Sequence, residues 1–471
     1  SLGSSVPFVL SRSQLIFKRG TKMTSTVNVT VTGKTLEKFP DIVPTLALIK
    51  KAFATTNEQF GFLSTKSKDA IVKACDDIFA NVPKTLNLEL WQSDFSLLND
   101  SFNHYVSSHY GVSEADVNLL QSVADISQTI ESIVVYRRLQ KTIADVSYLE
   151  QALKKKALEY KNEWRLTRTK LAEGAVGTWG QTFGALAVAV NRCKTRLEND
   201  LPLFSTSVLG SSMFGFIHNK PNAYSQRLLE NLSEMTGLTL QSPTATNEAV
   251  DKSALIDELM GNERLMYLSS DLKALSLLYA KIGHGFFIYG SGPRAGIAEI
   301  VLPGIAPGST IMPGKINPSM AHLTFQIAEF VAVNEQMASF AVNELDFDFT
   351  HQMGGAFITA IETLEILGKG SVLFTDKCLT GFSVKSATNL EHVQKAYSWA
   401  KLLKALYGQE IADRVLCRMK REDCSCEKAC IEEKLLTQSQ ASALFNLERL
   451  TDEGLSVELL SRYFRADKGA Q

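Results

Sequence analysis

The stretch from Gly308 to Pro318, GSTIMPGKINP, carries the side chains best suited to chemistry in this chain. It combines a hydroxyl at Ser309, an ammonium at Lys315 and an amide at Asn317 with two glycines and two prolines. Lys315 and Asn317 suit a carboxylate. Ser309 can remove a carbon-bound proton only where a positive site stabilises its alkoxide. These residues predict a site that binds an anion and reacts with it.

The helix that follows this loop contributes to the same site. Asn317 and Pro318 are typical of the N-cap and first position of a helix, which we expect to run from Ser319 to Leu345. A helix N-terminus directs free N–H groups and a partial positive charge at an anion. The alternative is an ordinary Pro/Gly loop before a capped helix.

Long helices dominate the rest of the chain. No Gly or Pro occurs between Gly111 and Gly174, and apolar residues recur there at helical spacing, which predicts either one long helix or two with a break near Lys154–Lys156. Further helices are expected over 187–201 and 247–282, the second ended by Gly283. Strand signals are few, the clearest being Val27–Val31. Because 185–190 and 328–333 are apolar on most sides, we expect oligomerisation.

Composition excludes several classes of function. The 49 basic and 50 acidic residues give a net charge of −1, which argues against nucleic acid or a membrane as a partner. The cysteines clustered near the end of the chain lack a C-x2-C pair and a nearby histidine, so reduced thiols are expected and no metal. A zinc site is the alternative. The clustered cysteines are Cys417, Cys424, Cys426 and Cys430.

The N-terminus has the composition of a mitochondrial presequence. From Ser1 to Leu36 there is no Asp or Glu, whereas basic residues, Ser and Thr are frequent. A disordered arm on a cytoplasmic protein is the alternative. We predict an arm over 1–40, a helical domain over 41–117, a long-helix bundle over 118–388 and a small helical domain over 389–471.

Two segments resemble the fumarase/aspartase superfamily. Residues 308–317 match its signature G-S-S-x-M-P-x-K-x-N except for Thr310, and residues 290–300 match G-S-G-P-R-x-G-x-x-E-I of class II fumarases. Weaker similarity covers roughly 41–466. The resemblance implies a mainly α, three-domain fold whose long-helix bundle completes a larger bundle in a homotetramer. It also implies a lyase that adds water, ammonia or an amine to fumarate without a cofactor.

The resemblance assigns roles to particular residues. Ser309 is the expected base, and Thr169 and Lys170 are expected near the leaving group, Lys170 standing where the family has histidine. A small carboxylate substrate is expected to contact the remaining residues, which are Lys315, Asn317, Ser122 and Thr310.

Four other segments depart from the family pattern. They begin at Ser93, Leu119, Arg168 and Ser211. Phe95 and Leu97 replace small residues, and Ala124 stands where the family has an amide. These changes predict a substrate less polar or larger than malate or aspartate. The alternatives are a catalytically inactive relative that serves in structure or assembly, and a protein that senses a carboxylate.

Overall fold

The computed structural model describes residues 34–89, 95–210, 222–243, 253–261, 263–341 and 354–451, together with 454, 457 and 461. Within these ranges the chain is mainly helical, which confirms the predicted fold class. The expected strand at Val27–Val31 and most of the N-terminal arm lie outside the described residues. No described helix is long and apolar enough to cross a lipid bilayer.

The elements follow one another in this order: α1 Ile42–Gln59, α2 Thr65–Ala80, α3 Ser96–Tyr110, α4 Glu114–Val117, α5 Val123–Glu159, β1 Trp164–Thr169, β2 Ala172–Thr178, α6 Trp179–Asp200, α7 Asn222–Thr236, α8 Ser253–Met260, α9 Glu263–Tyr289, β3 Ile300–Val301, α10 Ser319–Ala341, α11 Gly355–Phe374, β4 Ser383–Val384, α12 Ser386–Lys395, α13 Ala400–Tyr407, α14 Gln409–Glu422, α15 Cys426–Glu432, α16 Gln438–Leu444 and α17 Leu447–Thr451. Strand β1 pairs antiparallel with β2, and β3 with β4.

Five long helices form a bundle. Helix α5 packs against α6 and α11, and α9 packs against α6, α10 and α11. Their shared core joins that of the N-terminal helices. A second apolar cluster, from Val393 to Leu444, also includes Leu166 of β1, so the hairpin β1–β2 bridges the bundle and the C-terminal helices. The domain boundaries stay a prediction.

The predicted long helix is shorter than expected. Helix α5 ends at Glu159, and residues 164–178 form the hairpin instead. The lack of Gly and Pro before Gly174 was misleading, because the β-branched and aromatic residues in this part of the run suit a strand. The turn itself holds Lys170 and Leu171 at φ 52° and 64°, values that glycine or asparagine usually adopts.

Gly283 does not end a helix, contrary to the prediction. The break in the predicted 247–282 helix lies near Gly261, and α9 continues through Gly283 to Tyr289. A Cβ at position 283 would collide with the Thr324 side chain and the Ala321 carbonyl of α10. Gly283 therefore permits the close approach of α9 and α10.

We predict that Gly283→Ala lowers the free energy of unfolding by about 1–3 kcal/mol, because overpacking the helix contact outweighs alanine's better helix propensity. Gly285→Ala is the matched control, since nothing lies within 4 Å of a Cβ there. Chemical denaturation of both variants measures the difference. Equal stability of the two would contradict the role given to Gly283.

Asp200 is a buried carboxyl at the end of α6. It is 7% exposed, and its Oδ2 has no hydrogen-bond partner among the described residues. Burial, followed by the neighbouring Asp271 carboxylate, raises the pKa of Asp200 to about 7, while Arg196 acts in the opposite direction. Ionisation of Asp200 thus costs the folded state free energy.

We predict that Asp200→Asn stabilises the protein on the order of 2 kcal/mol at pH 8 and hardly at all at pH 4. The sign follows from the raised pKa: the wild-type protein loses stability as pH rises from the ordinary carboxyl pKa to about 7. Unfolding midpoints measured across this pH range test it. Glu198→Gln, at a half-exposed carboxylate on the same helix, should show no such trend.

Candidate active site

The loop before α10 closes on itself. The Gly308 N–H donates to the Lys315 carbonyl at 2.9 Å, and Asn317 Nδ2 donates to the Gly308 carbonyl at 2.9 Å. Gly314 has φ 78°, which favours glycine in the returning turn. The segment that carries the predicted chemistry is therefore a closed loop, held at its two ends by main-chain and amide hydrogen bonds.

Ser309 lies inside this loop and is half-buried. Its Oγ accepts hydrogen bonds from the Ile311 N–H at 3.2 Å and the Met312 N–H at 3.1 Å. Two main-chain donors aimed at one hydroxyl oxygen stabilise negative charge on that oxygen. The loop thus supplies the anion-stabilising environment that a serine base requires.

Asn317 does not cap the helix as predicted. Helix α10 begins at Ser319, and its first main-chain bond runs from His322 to the carbonyl of Pro318, so Pro318 lies at the N-cap rather than at the first helical position. The Asn317 amide closes the loop instead. Lys315, Asn317 and Thr310 are exposed, with the ammonium of Lys315 free of ion pairs among the described residues.

Thr169 and Lys170 lie at the tip of the β1–β2 hairpin. Both are exposed, and neighbouring Leu171 is 63% exposed. Thr169 pairs with Ala172 across the turn, so Lys170 and Leu171 form a two-residue loop. The left-handed backbone at both positions costs conformational energy, a feature that often marks functional turns.

Ser122 stands at the N-terminus of α5. It is exposed, its backbone is extended, and its hydroxyl makes no capping hydrogen bond. Its carbonyl accepts the first helical bond, from Ile126 at 3.2 Å. The free N–H groups of the first turn of α5 add a partial positive charge beside it.

The predicted site residues thus occupy three separate places in the chain, where all but the half-buried Ser309 are exposed. Within the described part of the chain, no hydrogen bond or ion pair joins the 308–318 loop to the hairpin tip or to Ser122. The structure of one chain places each group on its own element and does not bring the three into contact. Their catalytic and binding roles stay predictions.

Two of the altered segments are used for packing. Ala124 is 3% exposed and belongs to a small apolar cluster with Val208, Leu255 and Leu259. Phe95 is 4% exposed in the main core, and Leu97 packs against it. Residues 93–94 and the segment from Ser211 to His218 lie outside the described residues.

The second motif has a structural centre at Glu299, which sequence reasoning did not single out. Its carboxylate is fully buried, and Oε1 lies 2.6 Å from Arg168 Nη2 and 2.8 Å from His392 Nδ1. Its carbonyl accepts a hydrogen bond from Asn389 Nδ2 at 2.7 Å. Glu299 thereby joins the hairpin to α12. The motif itself was the available signal, but nothing local pointed to His392.

A second cation fixes the base of the same hairpin. The Arg165 guanidinium carbon lies 4.1 Å from the Trp179 ring centroid and 4.4 Å from that of Tyr289. Arg165 also donates to Thr182 Oγ1 at 2.8 Å. The hairpin that ends in Thr169 and Lys170 is therefore held by two arginines, one against a carboxylate and one against aromatic rings.

The cysteine cluster lies in the C-terminal helices. Cys424, Cys426 and Cys430 are buried in the second apolar cluster, and Cys417 is exposed. Glu422, Cys424 and Glu432 lie close enough together to share an ion. However, Arg418 forms ion pairs with both carboxylates, at 3.0 and 3.4 Å, which neutralises the charge that would attract a metal.

Comparison with known proteins decides the family. A family model described as a lyase matches residues 18–332, more than half of the chain. The chain belongs to this lyase family. The match spans the 308–318 loop, the hairpin and the N-terminus of α5, so every predicted site residue falls within it.

Relatives of two kinds resemble this lyase. An aspartate ammonia-lyase of a Bacillus species is 26% identical over 450 residues, covering 92% of this chain and 93% of the relative. A class II fumarate hydratase of Pasteurella multocida is 27% identical over 419 residues, covering 85% and 88%. These matches confirm the fumarase/aspartase superfamily. Ammonia-lyases and hydratases therefore match this chain about equally well.

Solved structures share the fold. A fumarate lyase:delta crystallin structure from Brucella melitensis has a TM-score of 0.77 at 23% identity, covering 86% of this chain and 93% of that one. A class II fumarase from Schistosoma mansoni has a TM-score of 0.75 at 24% identity, covering 86% and 91%. The lyase therefore has the mainly α fold expected from its sequence motifs.

We predict that Glu299→Gln destabilises this lyase by about 3–5 kcal/mol, because it leaves the Arg168 guanidinium partly buried without its counter-charge. Limited proteolysis should then cut the hairpin or α12 earlier than in the wild-type protein. Glu391→Gln is the control on α12: that carboxylate is exposed and pairs only with Lys395 among described residues. If the two variants have the same denaturation midpoint, Glu299 does not have this structural role.

Proposed function

We propose that this lyase eliminates water, ammonia or an amine from a carboxylic acid to give a fumarate-like product, and catalyses the reverse addition. The Ser309 alkoxide takes a proton from the carbon beside a carboxylate. The charge then moves onto that carboxylate as the C–H bond breaks, and the leaving group departs from the neighbouring carbon as the double bond forms. No cofactor takes part in these steps.

The observation that carries the proposal is the pair of main-chain donors to Ser309. The N–H groups of Ile311 and Met312 both point at Ser309 Oγ, so negative charge on this oxygen is stabilised before any substrate arrives. Lys315 and the N-terminus of α10 add positive charge to the same segment of the chain. Serine hydroxyls accept such bonds from the second and third residues after them in many turns, so the pair of donors supports a base together with this positive charge.

The other roles follow from the exposed positions. Lys315, Asn317 and Thr310 hold one carboxylate of the substrate, and Ser122 holds another polar group. Thr169 and Lys170 act near the leaving group, where an ammonium can donate the proton that the departing group needs. Lysine does not reproduce imidazole in shape or acidity, so its environment must supply what the histidine of relatives supplies.

We further propose that the enzyme is a homotetramer in which neighbouring subunits complete each site. One chain leaves apolar side chains of α10 in solvent: Phe330, Val333, Met337 and Phe340 are 39%, 66%, 42% and 75% exposed. Ile311, beside the base, is 86% exposed. Such surfaces are normally covered by a partner, and coverage by a second copy also brings the hairpin tip or Ser122 of another subunit to the loop.

The altered segments favour a substrate less polar or larger than malate or aspartate. Ala124 offers no hydrogen bond and is packed among apolar side chains rather than presented to solvent. A dianion as small as fumarate would lose a donor there. An acid with an apolar substituent, or a larger amine as leaving group, fits the divergent active site better.

The test is the ultraviolet absorbance of the product double bond, followed with malate, aspartate and argininosuccinate. We predict that Ser309→Ala lowers kcat by about 10²–10⁴ in the reaction that the wild-type enzyme catalyses, since a lost general base typically costs that much. Folding should persist, as judged by circular dichroism and melting temperature. Ser442→Ala, an exposed hydroxyl on α16, is the control.

Two outcomes would contradict the proposal. Full activity in Ser309→Ala would remove Ser309 as the base. Failure of the wild-type protein to convert any of the acids, with no stabilisation by dicarboxylates in a thermal-shift screen, would favour the structural or assembly role instead.

A further inference from the structure

The turn before Ser122 is held by buried polar side chains of another helix. Leu120 in this turn has φ 59°, a left-handed conformation that a branched side chain adopts only when its surroundings impose it. The turn connects α4 to α5 and sets the direction in which α5 starts. What fixes the turn therefore also fixes Ser122 and the free N–H groups of the first turn of α5.

Lys50 on α1 supplies the first contact. It is fully buried, and its Nζ donates to Asn118 Oδ1 at 3.0 Å. Asn99 Nδ2 donates to the same oxygen at 3.3 Å, and the carbonyl of Asn118 accepts the Gln121 N–H at 3.3 Å. Lys50 thus contacts the turn through Asn118, whose carbonyl also takes part in the main-chain hydrogen bonds of the turn.

Asn57 supplies the second contact from the same face of α1, two helical turns further on. Its Nδ2 donates to the Leu119 carbonyl at 3.0 Å. Its Oδ1 accepts the hydroxyl of Tyr224 on α7 at 2.5 Å, which settles the orientation of the amide. Asn57 is 1% exposed, so both bonds are shielded from water.

A lysine in this position costs the protein free energy. Burial lowers the pKa of Lys50 to about 7, while Cys75 and the Asp100 carboxylate act in the opposite direction. An apolar side chain would fill the same volume without this cost. The hydrogen bond to Asn118, which both the charged and the neutral form of the amine can donate, offsets part of this cost.

We propose that Lys50 and Asn57 are positioning residues of the active site, which hold the turn at Leu120 so that Ser122 and the N-terminus of α5 face the substrate carboxylate. The inference rests on the proposed function, because it gives Ser122 a substrate to contact. Neither Lys50 nor Asn57 touches the substrate. Their effect reaches it through Asn118 and Leu119.

The first arm of the experiment measures hydrogen exchange over residues 117–126 without any ligand. Lys50→Met keeps the length of the side chain and removes its donor, so exchange there should speed up about tenfold, the equivalent of one lost hydrogen bond. Lys51→Met is the matched control, since Lys51 pairs with Asp76 on the protein surface. Asn57→Ala should reproduce the effect of Lys50→Met through the other contact.

The second arm compares KM and kcat for the acid that the wild-type enzyme converts. Lys50→Met should raise KM about tenfold and leave kcat within about twofold, because Ser122 binds the substrate while Ser309 does the chemistry. Asn118→Asp keeps an acceptor opposite the Lys50 amine and should preserve KM, whereas Asn118→Leu should not. A general loss of folding would instead lower the active fraction, and with it kcat, in Lys50→Met, Asn118→Asp and Asn118→Leu alike.

The outcomes separate the two proposals. Unchanged exchange in both Lys50→Met and Asn57→Ala overturns the positioning role, as does a fall in kcat at constant KM. If the wild-type enzyme converts none of the acids, the proposed function fails on its own. The exchange measurement then still shows whether Lys50 and Asn57 hold the turn.

Discussion

The buried carboxylate of Glu299 is the interaction on which the arrangement of this lyase depends. Arg168 approaches it from the hairpin and His392 from α12, and its own main chain belongs to the segment that leads into the 308–318 loop. A buried charge must keep its ion-pair partner, because removal of either member leaves the other charge buried and unpaired. Three parts of the chain that are distant in sequence are therefore fixed relative to one another at a single point.

Some features of the candidate site are set within the 308–318 loop, and others depend on contacts between helices. The environment of Ser309 is local, because its two donors lie within three residues of it. The position of Ser122 is not local, because its turn is bound by residues of α1 that lie more than sixty positions earlier. The positions of Thr169 and Lys170 depend on the two arginines of the hairpin and on the aromatic rings that Arg165 contacts.

This division explains what the sequence could predict. The helical class and the α5 and α10 helices follow from apolar spacing, and the serine loop follows from its residue types. The hairpin was missed because a run without Gly or Pro excludes neither strand nor helix. Gly283 was predicted to end a helix because the sequence does not show that glycine is needed there for a close contact with α10. The hydrogen bonds of Lys50 and Glu299 were missed because their partners are distant in sequence and come together only in the fold.

The closed loop around Ser309 has a consequence for how such enzymes diverge. Because the donors to its oxygen are main-chain N–H groups of the same loop, no substitution elsewhere in the chain removes them directly. Mutations in α3 and in the first turn of α5 can then change the surroundings of Ser122 while Ser309 Oγ keeps its two donors. A loop whose internal bonds are made by its own main chain can therefore persist while the residues around it are exchanged.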